Sequence, residues 1–172
     1  MARRIRYSVA MSLDGYIAGP KGEADWIVMD PTFDFSAMMS QFDTMLLGRR
    51  TFEPMARVKR TENPGMKTIV VSTTMSQKDY PGITVIGSNA EKEITRLRKA
   101  PGKDIWLFGG GELFRRLLDA GLVDSVEVAI VPVLLGAGIP LLQPPFRQAK
   151  LRLAGHQVYP TGIVTLQYDV VS

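Results

Sequence analysis

The sequence predicts an α/β domain with a mixed, mostly parallel central sheet, flanking helices and an antiparallel C-terminal edge. Three observations predict it. Short, strongly apolar runs at 44–48, 67–72 and 104–108 suit strands buried on both faces. Helical patterns separate these runs, and strand–helix alternation favours parallel pairing. The chain then ends in two strand-like segments, 151–159 and 163–170, around the turn Pro160-Thr161-Gly162.

The elements follow in order. Residues 4–11 read as a first strand, rich in β-branched and aromatic residues. Asp14-Gly15 marks a turn before a short extended piece ending at Ala18, and 19–22 is a loop. Phe35, Met38, Met39 and Phe42 recur at helical spacing, which predicts a helix over 34–42. A short helix is predicted at 50–58 and a turn at Asn63-Pro64-Gly65. A small strand at 83–87 precedes a helix at 89–99 with Asn89 as its cap. Glu112 to Ala120 is helical, stopped by Gly121, and 125–133 alternates as a strand does. No internal repeat or linker breaks the chain, so 1–172 reads as one domain.

Composition narrows the chemistry. The 172 residues include no cysteine and one histidine, His156. That excludes a disulfide framework, a cysteine nucleophile and a typical zinc site, so no metal is expected. The net charge of +4 is mild and suits a phosphate-bearing ligand better than nucleic acid. The densest basic stretch, Lys92 to Lys103, reads as a solvated helix face or a polyanion contact. Arg3-Arg4 runs into a strand with no apolar signal core, and no stretch approaches the roughly 20 apolar residues that span a bilayer. A cytoplasmic protein without membrane contact is expected. The apolar run Val131 to Leu142 is either a core segment or a dimer contact.

Three buried strands end in small residues, where α/β sheets bind ligands. Gly109-Gly110-Gly111 precedes a helix; it makes a tight turn or leaves backbone N–H groups open to phosphate. Gly48-Arg49-Arg50-Thr51 places two arginines at a helix start, where positive charge is otherwise slightly unfavourable. The hydroxyls of Ser72 and Thr73 bond phosphate or cap a turn. Asp14, Asp25, Asp30 and Asp34 supply carboxylates early in the chain.

The order of these motifs carries a resemblance. Val9-Ala10-Met11-Ser12-Leu13-Asp14-Gly15-Tyr16-Ile17-Ala18-Gly19 is followed by Asp25-Trp26 and by Leu47-Gly48-Arg49-Arg50-Thr51-Phe52-Glu53. Phe108-Gly109-Gly110-Gly111-Glu112-Leu113, Gly121-Leu122-Val123-Asp124 and the segment Pro132 to Leu142 come after. Over nearly its whole length the chain resembles the dihydrofolate-reductase-like family. Within it, the chain is similar to the reductase domain of the bifunctional riboflavin-biosynthesis deaminase-reductase and its stand-alone relatives. The resemblance implies a dihydrofolate-reductase-like sheet, NADPH along its carboxyl edge, and a homodimer. It implies that Ala10, Ile17 and Ala18 border the nicotinamide. Gly48, Arg49, Arg50 and Thr51 would hold phosphates, Arg49 the 2′-phosphate. Ser72 and Thr73 would lie beside the adenosine. Gly109, Gly110, Gly111, Glu112, Leu113 and Phe114 would wrap the pyrophosphate, with a cis peptide at Gly109–Gly110.

Hydride transfer asks little of side chains, because the cofactor carries the reactive group. Asp14 and Asp30 are the candidate catalytic carboxylates; Ser12, Trp26, Phe52 and Met55 are the candidate substrate contacts. The expected reaction is an NADPH-dependent reduction of a ring-bearing substrate, of the 5-amino-6-(5-phosphoribosylamino)uracil reductase type. The alternatives are dihydrofolate reduction and a nucleotide-binding or sensing protein without efficient turnover.

Overall fold

The computed structural model describes residues 2–58 and 65–171. The strands are β1 (Ile5–Ser12), β2 (Tyr16–Ala18), β3 (Phe42–Gly48), β4 (Lys67–Val71), β5 (Thr84–Ile86), β6 (Asp104–Gly109), β7 (Ser125–Val131), β8 (Ile139–Pro140), β9 (Lys150–Val158) and β10 (Val164–Val171). The helices are α1 (Phe35–Met39), α2 (Arg49–Arg57), α3 (Ala90–Lys99) and α4 (Gly111–Asp119). Eight strands form one sheet in the order β5-β4-β3-β6-β1-β7-β10-β9, and β2 pairs with β8 apart from it. The pairings from β5 to β7 are parallel; β10 runs antiparallel to both β7 and β9. The predicted fold class is the observed one.

Alternation along β1 sorts the two faces. Ile5 and Tyr7 enter a largely aliphatic core with Ile94 of α3 and Leu113, Phe114 and Leu117 of α4. The Arg6 guanidinium lies 4.7 Å from the centre of the Phe42 ring, on the opposite face. There a second core gathers Phe42, Met45, Leu47, Phe52 and Trp106, with Met38, Met39 and Met55 of α1 and α2 against it. That face is aromatic and methionine-rich, hence more adaptable in shape.

Three expectations need correction. The helix predicted over 34–42 is only five residues long, and Phe42 opens β3 instead. The helical spacing misled because Phe42 is buried by stacking on Trp106, at 5.9 Å between centroids, across two paired strands. Asn89 starts α3 without a side-chain cap; its carbonyl accepts from Glu93 N. The segment 131–142 is neither wholly core nor one exposed patch. It leaves the sheet after Val131, exposes Leu134, and returns as β8 with Leu141 and Leu142 half-buried on the aliphatic core. Asn63 and Pro64 of the predicted turn lie outside the described residues.

Candidate active site

β3 and β6 are neighbours, and each passes straight into a helix. Gly48 caps α2 and Gly110 caps α4; glycine has no side chain to accept from the first helical N–H groups. Those donors are therefore open at both helix starts. A Cβ built on Gly48 would lie 3.9 Å from Gly110 N, so the two starts meet at one place. Two sets of uncapped N–H groups, each at the positive end of a helix, are suited to an anion. The glycines also permit the packing. A Cβ on Gly110 would stand 3.1 Å from the Thr51 hydroxyl, and one on Gly111 would stand 3.0 Å from the Pro140 carbonyl. Gly109 has φ +139°, and the Gly109–Gly110 peptide is cis.

Arg49 donates to Glu53 across one turn of α2 at 3.0 Å, and both side chains are over one-third exposed. Arg50 is exposed and has no ion pair among the described residues. Such surface pairs contribute little, about 0.3–0.5 kcal/mol for helix neighbours four apart. An incoming phosphate can therefore displace Glu53 at small cost.

At the ends of β4 and β5 a further cavity of about 420 Å³ is lined by Ser72, Thr73, Met75, Gln77, Val85, Gly87 and Ser88. The Ser72 hydroxyl accepts from Thr74 N and Met75 N at 3.2 and 3.0 Å, so its main work is shaping this turn. The five lining residues beyond Ser72 and Thr73 were not among the expected site residues. The signal for them was Gly87-Ser88, another small pair ending a strand.

Ala10, Ile17 and Ala18 lie half-buried at the end of β1 and in β2. Gly138 packs directly on the Ala18 carbonyl and fixes β2 against the loop before β8. Trp26 donates its indole N–H to the Glu23 carbonyl at 3.1 Å and keeps a half-exposed ring. Met55 of α2 is half-buried against the aromatic core.

The remaining candidates have other work. Ser12 is fully buried; it donates to Asp14 at 2.6 Å and accepts from Tyr16 N at 3.0 Å. Asp14 also accepts from Leu135 N and Gly136 N at 3.1 and 2.7 Å, so it braces the loop after β7. Its carboxyl is lowered from the ordinary value, first by the Ser12 hydroxyl and then by these N–H groups, against a desolvation that raises it. Asp30 is 4% exposed. One oxygen accepts from Thr32 N and Oγ1 at 2.8 and 2.5 Å, the other from Thr161 N and Oγ1 at 3.1 and 2.6 Å. The Thr161 and Thr32 hydroxyls hold it well below the usual carboxylate range. Both carboxylates are ionised and engaged, so neither carries a proton to give. Phe52 is in the core, edge-on to Tyr80 at 5.4 Å, and walls no ring. Leu113 and Phe114 are also core; Phe114 stacks on Tyr7 at 3.8 Å and its N–H is used by the Gly110 carbonyl. Glu112 is exposed on the first turn of α4.

The sequence pattern of the RibD C-terminal domain matches residues 3–165. The chain belongs to the RibD C-terminal domain family. An uncharacterized member-like protein, YyaP of Bacillus subtilis (strain 168), is 35% identical over 178 residues, covering 96% of this chain and 94% of that one. A crystal structure of a protein named for riboflavin biosynthesis, from Shewanella sp. PV-4, superposes with a TM-score of 0.83 at 24% identity over the whole of both chains. Dihydrofolate reductase from Enterococcus faecalis, complexed with NADP(H), superposes with a TM-score of 0.72 at 19% identity, again over both whole chains. The RibD C-terminal domain and dihydrofolate reductase thus share this fold, including the mixed sheet with its antiparallel last strands. Among the described residues no helix is long and apolar enough to cross a membrane.

Proposed function

We propose that this RibD-type domain is an NADPH-dependent reductase of a small ring-bearing substrate, working in the cytoplasm. The reaction nearest to it is the 5-amino-6-(5-phosphoribosylamino)uracil reduction of riboflavin synthesis. The observation that carries this reading is the meeting of two uncapped helix starts at Gly48 and Gly110. The residues fit a dinucleotide. The paired N–H groups take its pyrophosphate, Arg49 and Arg50 its 2′-phosphate, and the cavity at Ser72 and Thr73 its adenosine. Ala10, Ile17 and Ala18 bed the nicotinamide. When bound, the cofactor supplies a hydride.

The protein's part is then position and dryness. Trp26 and Met55 wall the ring, and the Asp14 and Asp30 clasps hold the loops on either side. Reduction of a C=N or C=O bond also consumes a proton. Neither clasp holds one, so water or the substrate provides it. The engaged carboxylates do favour one second reading, a nucleotide-binding protein without efficient turnover.

The test is titration with NADPH and NADH, followed by nicotinamide fluorescence. Micromolar NADPH binding is expected, and Arg49→Ala should weaken it about tenfold, roughly 1.4 kcal/mol, while NADH is little affected. Binding of neither cofactor sinks the proposal. Tight binding without turnover of any ring substrate moves it to the second reading. A homodimer is part of the proposal, with the second copy on the exposed Leu151, Leu153 and Val158 of edge strand β9. A clean monomer in sedimentation at micromolar concentration would remove it.

A further inference from the structure

We propose that the amino edge of the sheet carries a second ligand site, which takes a small phosphorylated compound through Arg147, Lys150 and Arg152. A groove of about 1010 Å³ opens there, where β1 and β7 begin and where α3 and α4 end. That volume is at the upper end of the range for small-molecule sites, roughly 300–1000 Å³. It lies at the opposite end of the parallel strands from Gly48 and Gly110, so it is no extension of the cofactor edge.

Five cations line it, Arg4, Arg98, Arg147, Lys150 and Arg152, against three carboxylates. The carboxylates are largely committed. Asp124 accepts from Arg98 at 2.7 Å and from Ile5 N at 2.7 Å. Asp169 is shared by Arg4 at 2.6 Å and Arg152 at 3.1 Å, and these two arginines lower its carboxyl, Arg152 foremost. Arg147 and Lys150 have no acidic partner among the described residues. Elsewhere on this edge each arginine is matched: Arg3 with Asp43, Arg6 with Glu127 and Asp104. In the groove, Arg147 and Lys150 stand without such a match.

Cations in excess of the acids around one groove repel one another. An anion is the partner that relieves this, and arginine's donor fork suits phosphate. The ends of the helices do not oppose it strongly. The carbonyls of Arg116, Leu117 and Leu118 at the end of α4 already accept from Ala120, Leu122 and Gly121. Leu118, Val123, Val170 and Val171 give the groove an apolar wall for the remainder of the ligand. A long polyanion fits less well, because Asp119, Asp124 and Asp169 interrupt the basic surface.

The experiment is calorimetric titration of the full chain with inorganic pyrophosphate. Wild type and Arg49→Ala should both show a saturable site with Kd below about 1 mM, and the double variant Arg147→Ala/Lys150→Ala should lose at least about tenfold. Both groove residues are exposed, so the double variant should melt with wild type. Three outcomes overturn the proposal. One is no saturable binding. Another is binding lost in Arg49→Ala and kept in the double variant, which places the anion at the cofactor edge. The third is a single-stranded RNA oligomer that outcompetes pyrophosphate and depends on Arg147 and Lys150.

Discussion

The two ends of the sheet are built from different materials. At the carboxyl edge the polar groups are backbone: N–H groups at Gly48 and Gly110 with no side chain to satisfy them. At the amino edge they are side chains, arginines laced to carboxylates between β1, β3, β6, β7 and β10. Helix dipoles favour this division, since both uncapped N-termini point to the carboxyl edge. The open edge leaves helix N–H groups without side-chain caps, where the proposed cofactor would sit. The laced edge holds strands together whose lateral order the chain cannot fix locally. The comparison predicts that damage at one edge lowers stability, and damage at the other lowers binding.

The largest effect is expected at the laced edge. Arg6 grips Glu127 with two hydrogen bonds, at 2.6 and 2.9 Å, and both side chains are about nine-tenths covered. Removing the Glu127 charge leaves the covered Arg6 with only the longer contact to Asp104, at a cost of up to about 3 kcal/mol. Glu127→Gln should therefore unfold at clearly lower urea, with NADPH affinity unchanged in the folded protein. A variant as stable as wild type would show that Asp104, 3.4 Å from Arg6, suffices as its counter-charge.

Next comes the open edge. A methyl group at Gly110 would crowd the Thr51 hydroxyl at 3.1 Å, between the two helix starts. The Gly110 φ of −87° is one that alanine adopts freely, so the fold should tolerate the change. Gly110→Ala should lose roughly 2 kcal/mol of NADPH binding, about thirtyfold, with nearly the same urea midpoint. Equal losses of stability and binding would mean that the two edges are not separable in this way.

The same division governs what was legible in the sequence. Buried strands such as Met45-Leu46-Leu47 and Ile69-Val70 announce themselves, because both faces are apolar and glycine or serine follows. Gly48 and Gly109 to Gly111, the proposed phosphate cradle, stand out too, because strand-ending glycines are visible in the local sequence. The side-chain clasps were not. Asp14 meets Gly136 and Asp30 meets Thr161, partners more than a hundred residues away, so their carboxylates looked free. Phe52 and Phe114 failed as site residues for a related reason. Their spacing on a helix does not say which side meets Tyr80 or Tyr7.

Asp30 sharpens the comparison, since it is a side-chain clasp set at the open edge. It joins the loop before α1 to the β9–β10 turn, where Phe33 also meets Tyr159 at 5.8 Å between ring centres. Its folded carboxyl lies below the unfolded value of about 3.9, so its contribution is complete above that value and is lost as pH falls through and below it. Unfolding in denaturant at several pH values from about 6 down to 3 should show this loss in wild type. Asp30→Asn should be less stable at pH 6 and should show a shallower fall, because an amide has one acceptor oxygen where four donors converge. NADPH affinity should be unchanged, since the clasp touches none of the residues proposed to hold phosphate. An Asn variant with wild-type stability and pH slope, but slowed turnover, would make Asp30 a participant in the reaction after all. The two measurements together separate a carboxylate that holds a loop from one that moves a proton.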